Sequence, residues 1–230
     1  MKFKLLFFMA FSMIVCACSK DDEPRDVNDS SVTINTNGTT SNGVKFSPID
    51  ATSFYLDYVK YEIVDSHIEI VGYDPIEISS EVVPYATIKI DGFTYNTRVI
   101  QDDAFRGFSK LEKFVIPNTI QTIGYNAFRD CSSLSSITFP ESLTRIGDYA
   151  FKGCTSLSGI TFPASLTRIG DRAFKGCSFG NVYLGGKTTA IDNIFSDFSG
   201  TLHVTKENYA WAKQTYPWRK FAVIVDDYNP

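Results

Sequence analysis

Residues 120–142 read IQTIGYNAFRDCSSLSSITFPES, and residues 143–165 read LTRIGDYAFKGCTSLSGITFPAS. Laid one under the other, the two stretches agree at the Ile-Gly pair, the Ala-Phe pair, the Cys, the Ser-Leu-Ser triplet and the Ile-Thr-Phe-Pro run. Outward from this pair, residues 97–119 (TRVIQDDAFRGFSKLEKFVIPNT) keep most apolar positions. Residues 166–186 (LTRIGDRAFKGCSFGNVYLGG) keep them with one deletion after Cys177. Phe105, Phe128, Phe151 and Phe174 therefore fall 23 residues apart. A fifth, worn copy runs through Ile191, Phe195, Phe198, Leu202 and Val204. A fixed period in the twenties over four copies is the mark of a solenoid.

The period also assigns a task to each part of the unit. Ile160-Thr161-Phe162 alternates as a strand does, and Pro163 ends its pairing because proline has no N–H to donate. Gly147 to Gly153 is expected to form a short helical or 3₁₀ turn with Ala150 and Phe151 inward. Successive coils should stack at roughly 4.8 Å, the strand spacing of a sheet. No coil can bury its own apolar face, so only the stack makes a core.

Ile146, Gly147, Ala150, Phe151, Cys154, Leu157, Ile160 and Pro163 all fall on the pattern I-G-x-x-A-F-x-x-C-x-x-L-x-x-I-x-I-P. In this the repeats resemble the BspA-like (Treponema-type) leucine-rich-repeat family. Phe108 stands where that pattern has Cys, and Gly185 where it has Pro. The resemblance covers residues 97–205 and implies an α/β solenoid. The expected form is a right-handed leucine-rich-repeat superhelix of about five turns.

Both flanks read as covers for the open ends of that stack. Residues 44–96 form a β-rich capping segment. It holds strands at 54–64 and 67–73 around Asp65-Ser66, and a hairpin, 86–90 with 93–99, around the tight-turn pair Asp91-Gly92. Residues 206–230 form the other cap, with a strand at 201–204 leading into a helix at 206–216. An aromatic Pro217-Trp218 and a last strand at 221–225 follow.

The first residues read as an address. Lys2 and Lys4 precede an apolar run from Leu5 to Val15, too short to span a bilayer. The run ends at Cys16-Ala17-Cys18, which resembles a bacterial lipobox with Cys18 as the lipidated residue. Residues 1–17 are then a signal peptide. A multiply acylated cysteine anchors stably where a single chain does not. Ser19-Lys20-Asp21-Asp22-Glu23 resembles the acidic signal of Gram-negative lipoproteins destined for the outer face of the outer membrane. Residues 18–43, almost devoid of apolar side chains, are expected to be a flexible stalk.

The composition leans away from catalysis. The chain has 230 residues, a net charge of −4 and two histidines, His67 and His203. That balance lacks the basic footprint that nucleic acid requires. No GxSxG, HExxH or CxxC motif occurs, and no catalytic residue, cofactor or metal is expected. Gly185-Gly186-Lys187-Thr188 fails as a phosphate loop because Asn181 stands where its first glycine should be. Cys131, Cys154 and Cys177, one period apart, are expected as buried small hydrophobes. Arg106, Arg129, Lys152 and Lys175 form a basic column, with Asp102, Asp148 and Asp171 placed for i,i+4 pairing. Arg145 and Arg168 form a second, shorter column. Both read as solvated faces.

What remains is the outward face of the stacked strands. Its columns are Lys113/Ser136/Gly159/Asn181/Thr201 and Val115/Thr138/Thr161/Tyr183/His203. Thr138, Thr161, Asn181, Tyr183 and His203 are the candidate binding residues. The family resemblance implies adhesion to host matrix proteins or other bacteria. The expected function is a non-enzymatic surface module for an extracellular protein or glycan ligand, held to the membrane through its lipid anchor. The alternative is a glycan-binding lipoprotein for nutrient capture, with Tyr125, Tyr149 and Tyr183 as aromatic platforms.

Overall fold

Ile146, Ala150, Phe151, Cys154, Leu157, Ile160 and Phe162 are all buried, so the apolar positions of the repeat build the interior as its spacing requires. The structure, a computed structural model, describes residues 31–34, 40, 46–49, 52–76, 78–190, 193–196 and 198–229. The signal peptide, Cys18 and most of the expected stalk lie outside them.

The N-terminal part holds strands β1 (Ser31–Ile34), β2 (Phe46–Pro48), β3 (Ser53–Leu56), β4 (Val59–Val64) and β5 (His67–Tyr73). They are followed by β6 (Glu81–Val82), β7 (Thr87–Ile90) and β8 (Phe93–Ile100). Two expectations are corrected here. Residues 31–34, read as stalk, form β1, which pairs in parallel with β7 and buries Val32 and Ile34. Residues 54–64 are two strands, because Asp57 and Tyr58 both take positive φ and close a two-residue turn between Leu56 and Val59. The hairpin around Asp91-Gly92 forms as expected, with φ of 50° and 83° at its two turn residues.

The repeats supply two kinds of strand. The longer ones are β9 (Lys113–Val115), β11 (Ser136–Thr138), β13 (Gly159–Phe162), β15 (Asn181–Leu184) and β17 (Thr201–Val204). Between them come two-residue strands, β10 (Thr122–Ile123), β12 (Arg145–Ile146), β14 (Arg168–Ile169) and β16 (Thr189–Ala190). The short strands carry the most continuous sheet. It runs β16-β14-β12-β10-β8-β5-β4-β3-β2 and joins the repeats to the N-terminal strands.

The third side of each coil is a turn, not a helix. The N–H groups of Tyr149, Phe151 and Gly153 donate to Asp171, Ala173 and Lys175 of the next coil at 2.7–2.8 Å. A helix would direct those groups along its own axis, and a segment this short cannot offset the cost of helix nucleation. Left-handed φ recurs two residues before each phenylalanine (Asp103, Asn126, Tyr149, Arg172) and two after (Gly107, Asp130, Gly153, Gly176). The coils are thus strand and turn, and the α/β expectation is corrected to a leucine-rich-repeat fold of mostly strands. Among the described residues the α-helix is α1 (Tyr209–Gln214), followed by a 3₁₀ turn at Trp218–Lys220 and β18 (Val223–Val225).

A ring ladder fills the core. Phe105, Phe128, Phe151 and Phe174 stack with centroids 5.1–5.3 Å apart and planes within 6°. Tyr73 stacks on Phe105 at 5.5 Å, which places one more coil ahead of the first regular repeat. β5, paired with β8, stands in line with the two-residue strands of the repeats, and β6, paired with β9, in line with their longer strands. A second ladder runs along the coil corners. The hydroxyls of Thr119, Ser142, Ser165 and Thr188 donate to the carbonyls of Thr97, Ile120, Leu143 and Leu166. Buried Trp218 ends it by donating its indole N–H to Thr188 O at 3.1 Å.

Candidate functional site on the strand face

Alternation along each long strand sends one set of side chains into the core and the other to solvent. Parallel pairing in register then lines the outward set into columns. Thr161, Tyr183 and His203 are direct neighbours across β13, β15 and β17, as are Gly159, Asn181 and Thr201. β18 extends the columns with Val223 and Val225, and β6 adds Glu81, which forms an ion pair with Lys113.

The face is divided into two panels. β6, β9 and β11 form one sheet, and β13, β15, β17 and β18 another, without a ladder between β11 and β13. On the turn side of this step the rings of Phe128 and Phe151 are 5.1 Å apart, but behind the strands Phe139 and Phe162 are 6.0 Å apart. Thr138 sits on one panel while the other four candidates sit on the second. A shallow groove of about 180 Å³ lies over β9 and β11, lined by Lys113, Val115, Ser136, Thr138 and Pro140 among others.

Asn181, Tyr183 and His203 come together. The His203 ring lies 4.4 Å from that of Tyr183 at 18°. Its Nδ1 is 2.7 Å from Asp227 Oδ1, and its Nε2 is 2.9 Å from Asn181 Oδ1. Tyr228 adds a ring 5.3 Å from Tyr183. Asp227 and Tyr228 follow β18 outside the repeat, so no column arithmetic points to them.

The remaining candidates resolve into structure. Cys131, Cys154 and Cys177 are buried free thiols, each directed at the carbonyl of Phe105, Phe128 or Phe151. Burial pushes Cys131 and Cys177 up to about 12, and Cys154 is raised by the same cause. No i,i+4 pairs form on the basic column, because no helix is there to align them. Arg106 pairs instead with Asp103 at 3.1 Å, Arg129 lies 3.3 Å from Asp130, and Lys152 rests over the Tyr149 ring at 5.5 Å. Asp102 and Asp148 accept the backbone N–H groups of Tyr125 and Asp171. Arg145 and Arg168 are neighbours across β12 and β14.

Tyr125 and Tyr149 meet edge to face at 5.8 Å on the turn side, while Tyr183 is on the strand side, so the three rings do not share a platform. Gly186 needs its missing Cβ because Ala164 O would lie 2.6 Å from one, which accounts for that glycine without a phosphate. Among the described residues no cluster of three metal-ligating side chains occurs, and no helix is long and apolar enough to cross a membrane.

No curated protein matches the chain. Solved structures of several bacterial leucine-rich repeat proteins are similar. A leucine-rich repeat protein from Bacteroides ovatus shares 30% identity at a TM-score of 0.57, over 66% of this chain and 40% of that one. The T. pallidum leucine rich repeat protein TpLRR shares 27% at 0.54, over 68% of this chain and 71% of that one. The pneumococcal vaccine antigen PcpA, at 16% identity and a TM-score of 0.58, covers 77% of this chain and 48% of its own and supports the fold alone. The chain thus spans less than half the length of the B. ovatus protein. Residues 77–201 match the BspA type leucine rich repeat region in six copies, beginning 20 residues before the expected boundary and taking in β6 of the coil ahead of the first regular repeat. On that match, over more than half its length, the chain belongs to the BspA-type leucine-rich-repeat family.

Proposed function

We propose that this chain is a non-enzymatic cell-surface binding module that adheres to extracellular matrix proteins or to other cells through its strand face. The observation that carries the reading is the in-register outward row Thr161–Tyr183–His203 beside Asn181. Inward neighbours Ile160, Phe162, Val182, Leu184, Leu202 and Val204 already make the core, so the outward positions can change without cost to the fold. Exposed Ser136, Thr138, Gly159 and Thr161 leave a low floor between the Glu81–Lys113 pair at one end and the Tyr183–His203 stack at the other. A partner laid across the strands would meet polar groups along the floor and rings at its end.

In this reading the coils form a right-handed superhelix, one coil longer than the five turns expected from the sequence, closed by the N-terminal strands and by residues 206–230. Cys18 carries lipid and holds the module at the outer face of the outer membrane. An array of matrix proteins and glycans, probed with residues 31–230 of the chain, tests the partner class. Binding confined to protein spots is expected. Binding confined to glycan spots would replace adhesion by nutrient capture.

A further inference from the structure

The Tyr183–His203 end of the strand face is not open. Residues 226–229 fold back over it after β18, and three contacts hold them there. Asp227 Oδ1 meets His203 Nδ1 at 2.7 Å, Tyr228 N–H donates to Val204 O at 3.2 Å, and the Tyr228 ring leans on Tyr183 at 5.3 Å and 56°. The Tyr183 ring is therefore covered by His203 on one side and approached by Tyr228 from another. That packing partly covers the Tyr183 ring, as a removable cover would.

His203 is the joint of this arrangement. Its side chain is 13% exposed, and both ring nitrogens face oxygen, Asp227 Oδ1 and Asn181 Oδ1. An imidazolium satisfies both contacts with its two N–H groups. A neutral ring has one N–H, so one contact ceases to be a hydrogen bond unless the Asn181 amide turns over. The ionisable groups of the elements around it are Tyr183 on β15, Asp226, Asp227 and Tyr228 on the strap, and Glu141 beside Tyr228. Burial, with Glu141 second, raises the Tyr228 hydroxyl above its ordinary value, so that group stays neutral through the range in which histidines ordinarily change charge.

We propose that residues 226–229 are a strap over the C-terminal end of the binding face, latched by His203 and Asp227, which closes in acid and loosens as the pH rises. The inference rests on the strand-face reading for its consequence, since opening the strap frees Tyr183 and His203 for a partner. The latch itself is tested without a partner. Amide exchange at Tyr228 in the full chain, corrected for the intrinsic effect of pH, should lose about fivefold in protection between about pH 5.5 and about pH 8, the scale of a partly exposed ion pair. His203→Gln and Asp227→Asn keep a polar contact but remove the charge, and protection in both should be low and independent of pH. Release by Asp227→Ala with Tyr228→Ala should also raise the contact of the Tyr183 ring with a soluble paramagnetic agent. A flat wild-type profile, a pH-dependent loss that survives in both charge variants, or a Tyr183 ring unaffected by release would each overturn the strap. None of these outcomes depends on whether the strand face binds anything.

Discussion

Truncating Phe151 removes the central rung of the ring ladder, and the structure fixes how much that should cost. The side chain is fully buried, lies 5.1 Å from both Phe128 and Phe174 with planes 6° and 2° apart, and meets the edge of Phe139 at 5.7 Å. Phe→Ala in a core ordinarily costs about 3–5 kcal/mol, the higher values belonging to sites that cannot collapse around the cavity. This site cannot. The Phe128 and Phe151 N–H groups bond to Ala150 and Ala173 at 2.7 Å, so the rings on either side are tied at the coil spacing. Two stacked pairs worth roughly 0.5–1.5 kcal/mol each beyond area burial vanish as well. The expected loss is about 5 kcal/mol, comparable with the whole stability of a marginal domain. Urea titration measures it from the shift in midpoint. Hydrogen exchange should show protection lost first in the coils on either side, because each coil is stabilised by its neighbours. Phe151→Leu, which keeps most of the volume but loses both stacks, should cost about 1–3 kcal/mol, less than the alanine variant, and serves where the alanine variant fails to fold. A loss under about 1 kcal/mol for the alanine variant would refute the ladder as the main source of cohesion.

Gly147→Ala should be as damaging as a core truncation, since a Cβ there would sit 2.6 Å from the Gly124 carbonyl carbon, backbone that cannot move aside; its melting temperature should fall well below that of the exposed control Gly180→Ala, whose Cβ would meet nothing nearer than Ser158 O at 3.9 Å. The three thiols should resist an aromatic disulfide reagent in the native protein and react on unfolding. Because burial raises Cys131 and Cys177 from 9.0 to about 12, the folded state holds their protons longer than the unfolded state. Stability from this source is full below the unfolded value and falls as the pH rises from 9.0 towards 12, which denaturant titrations across that range would register. Cys18→Ala should abolish labelling by a radioactive fatty acid in the native host, and undiminished label would place the anchor elsewhere.

The repeat was legible because its apolar positions recur in sequence at the spacing at which they meet in space. Phe105 to Phe174 needed no structure to be aligned. The preceding coil was hidden for a physical reason: Tyr73 and Phe105 are stacked neighbours but stand 32 residues apart, because the β7–β8 hairpin is inserted within that coil and breaks the period. β1 offers only Val32 and Ile34 in a polar stretch, too little alternation to stand out, and its strand exists only because β7 presents a partner. The 147–153 segment carries helix-compatible residues, yet hydrogen bonds to the next coil win over an internal helix. Of the candidate site, Asn181, Tyr183 and His203 could be placed by column counting. Asp227 and Tyr228 could not, because the segment that brings them back belongs to no repeat and its position depends on β18 pairing with β17.

The central claim is that partners dock on the strands and not on the turns, and two double variants separate these faces. Thr138 and Thr161 are exposed on the strand side, one on each panel, and Lys152 and Lys175 are on the turn side. Neither pair contributes to the core, so both variants should melt with the wild type. The deciding measurement is equilibrium binding of each variant to the strongest ligand found on the matrix-protein array. Thr138→Arg with Thr161→Arg should weaken binding by at least about tenfold, the effect of about 1.4 kcal/mol, and Lys152→Glu with Lys175→Glu should leave it unchanged. Loss of binding in the lysine pair with a silent threonine pair would contradict the account and move the site to the basic column.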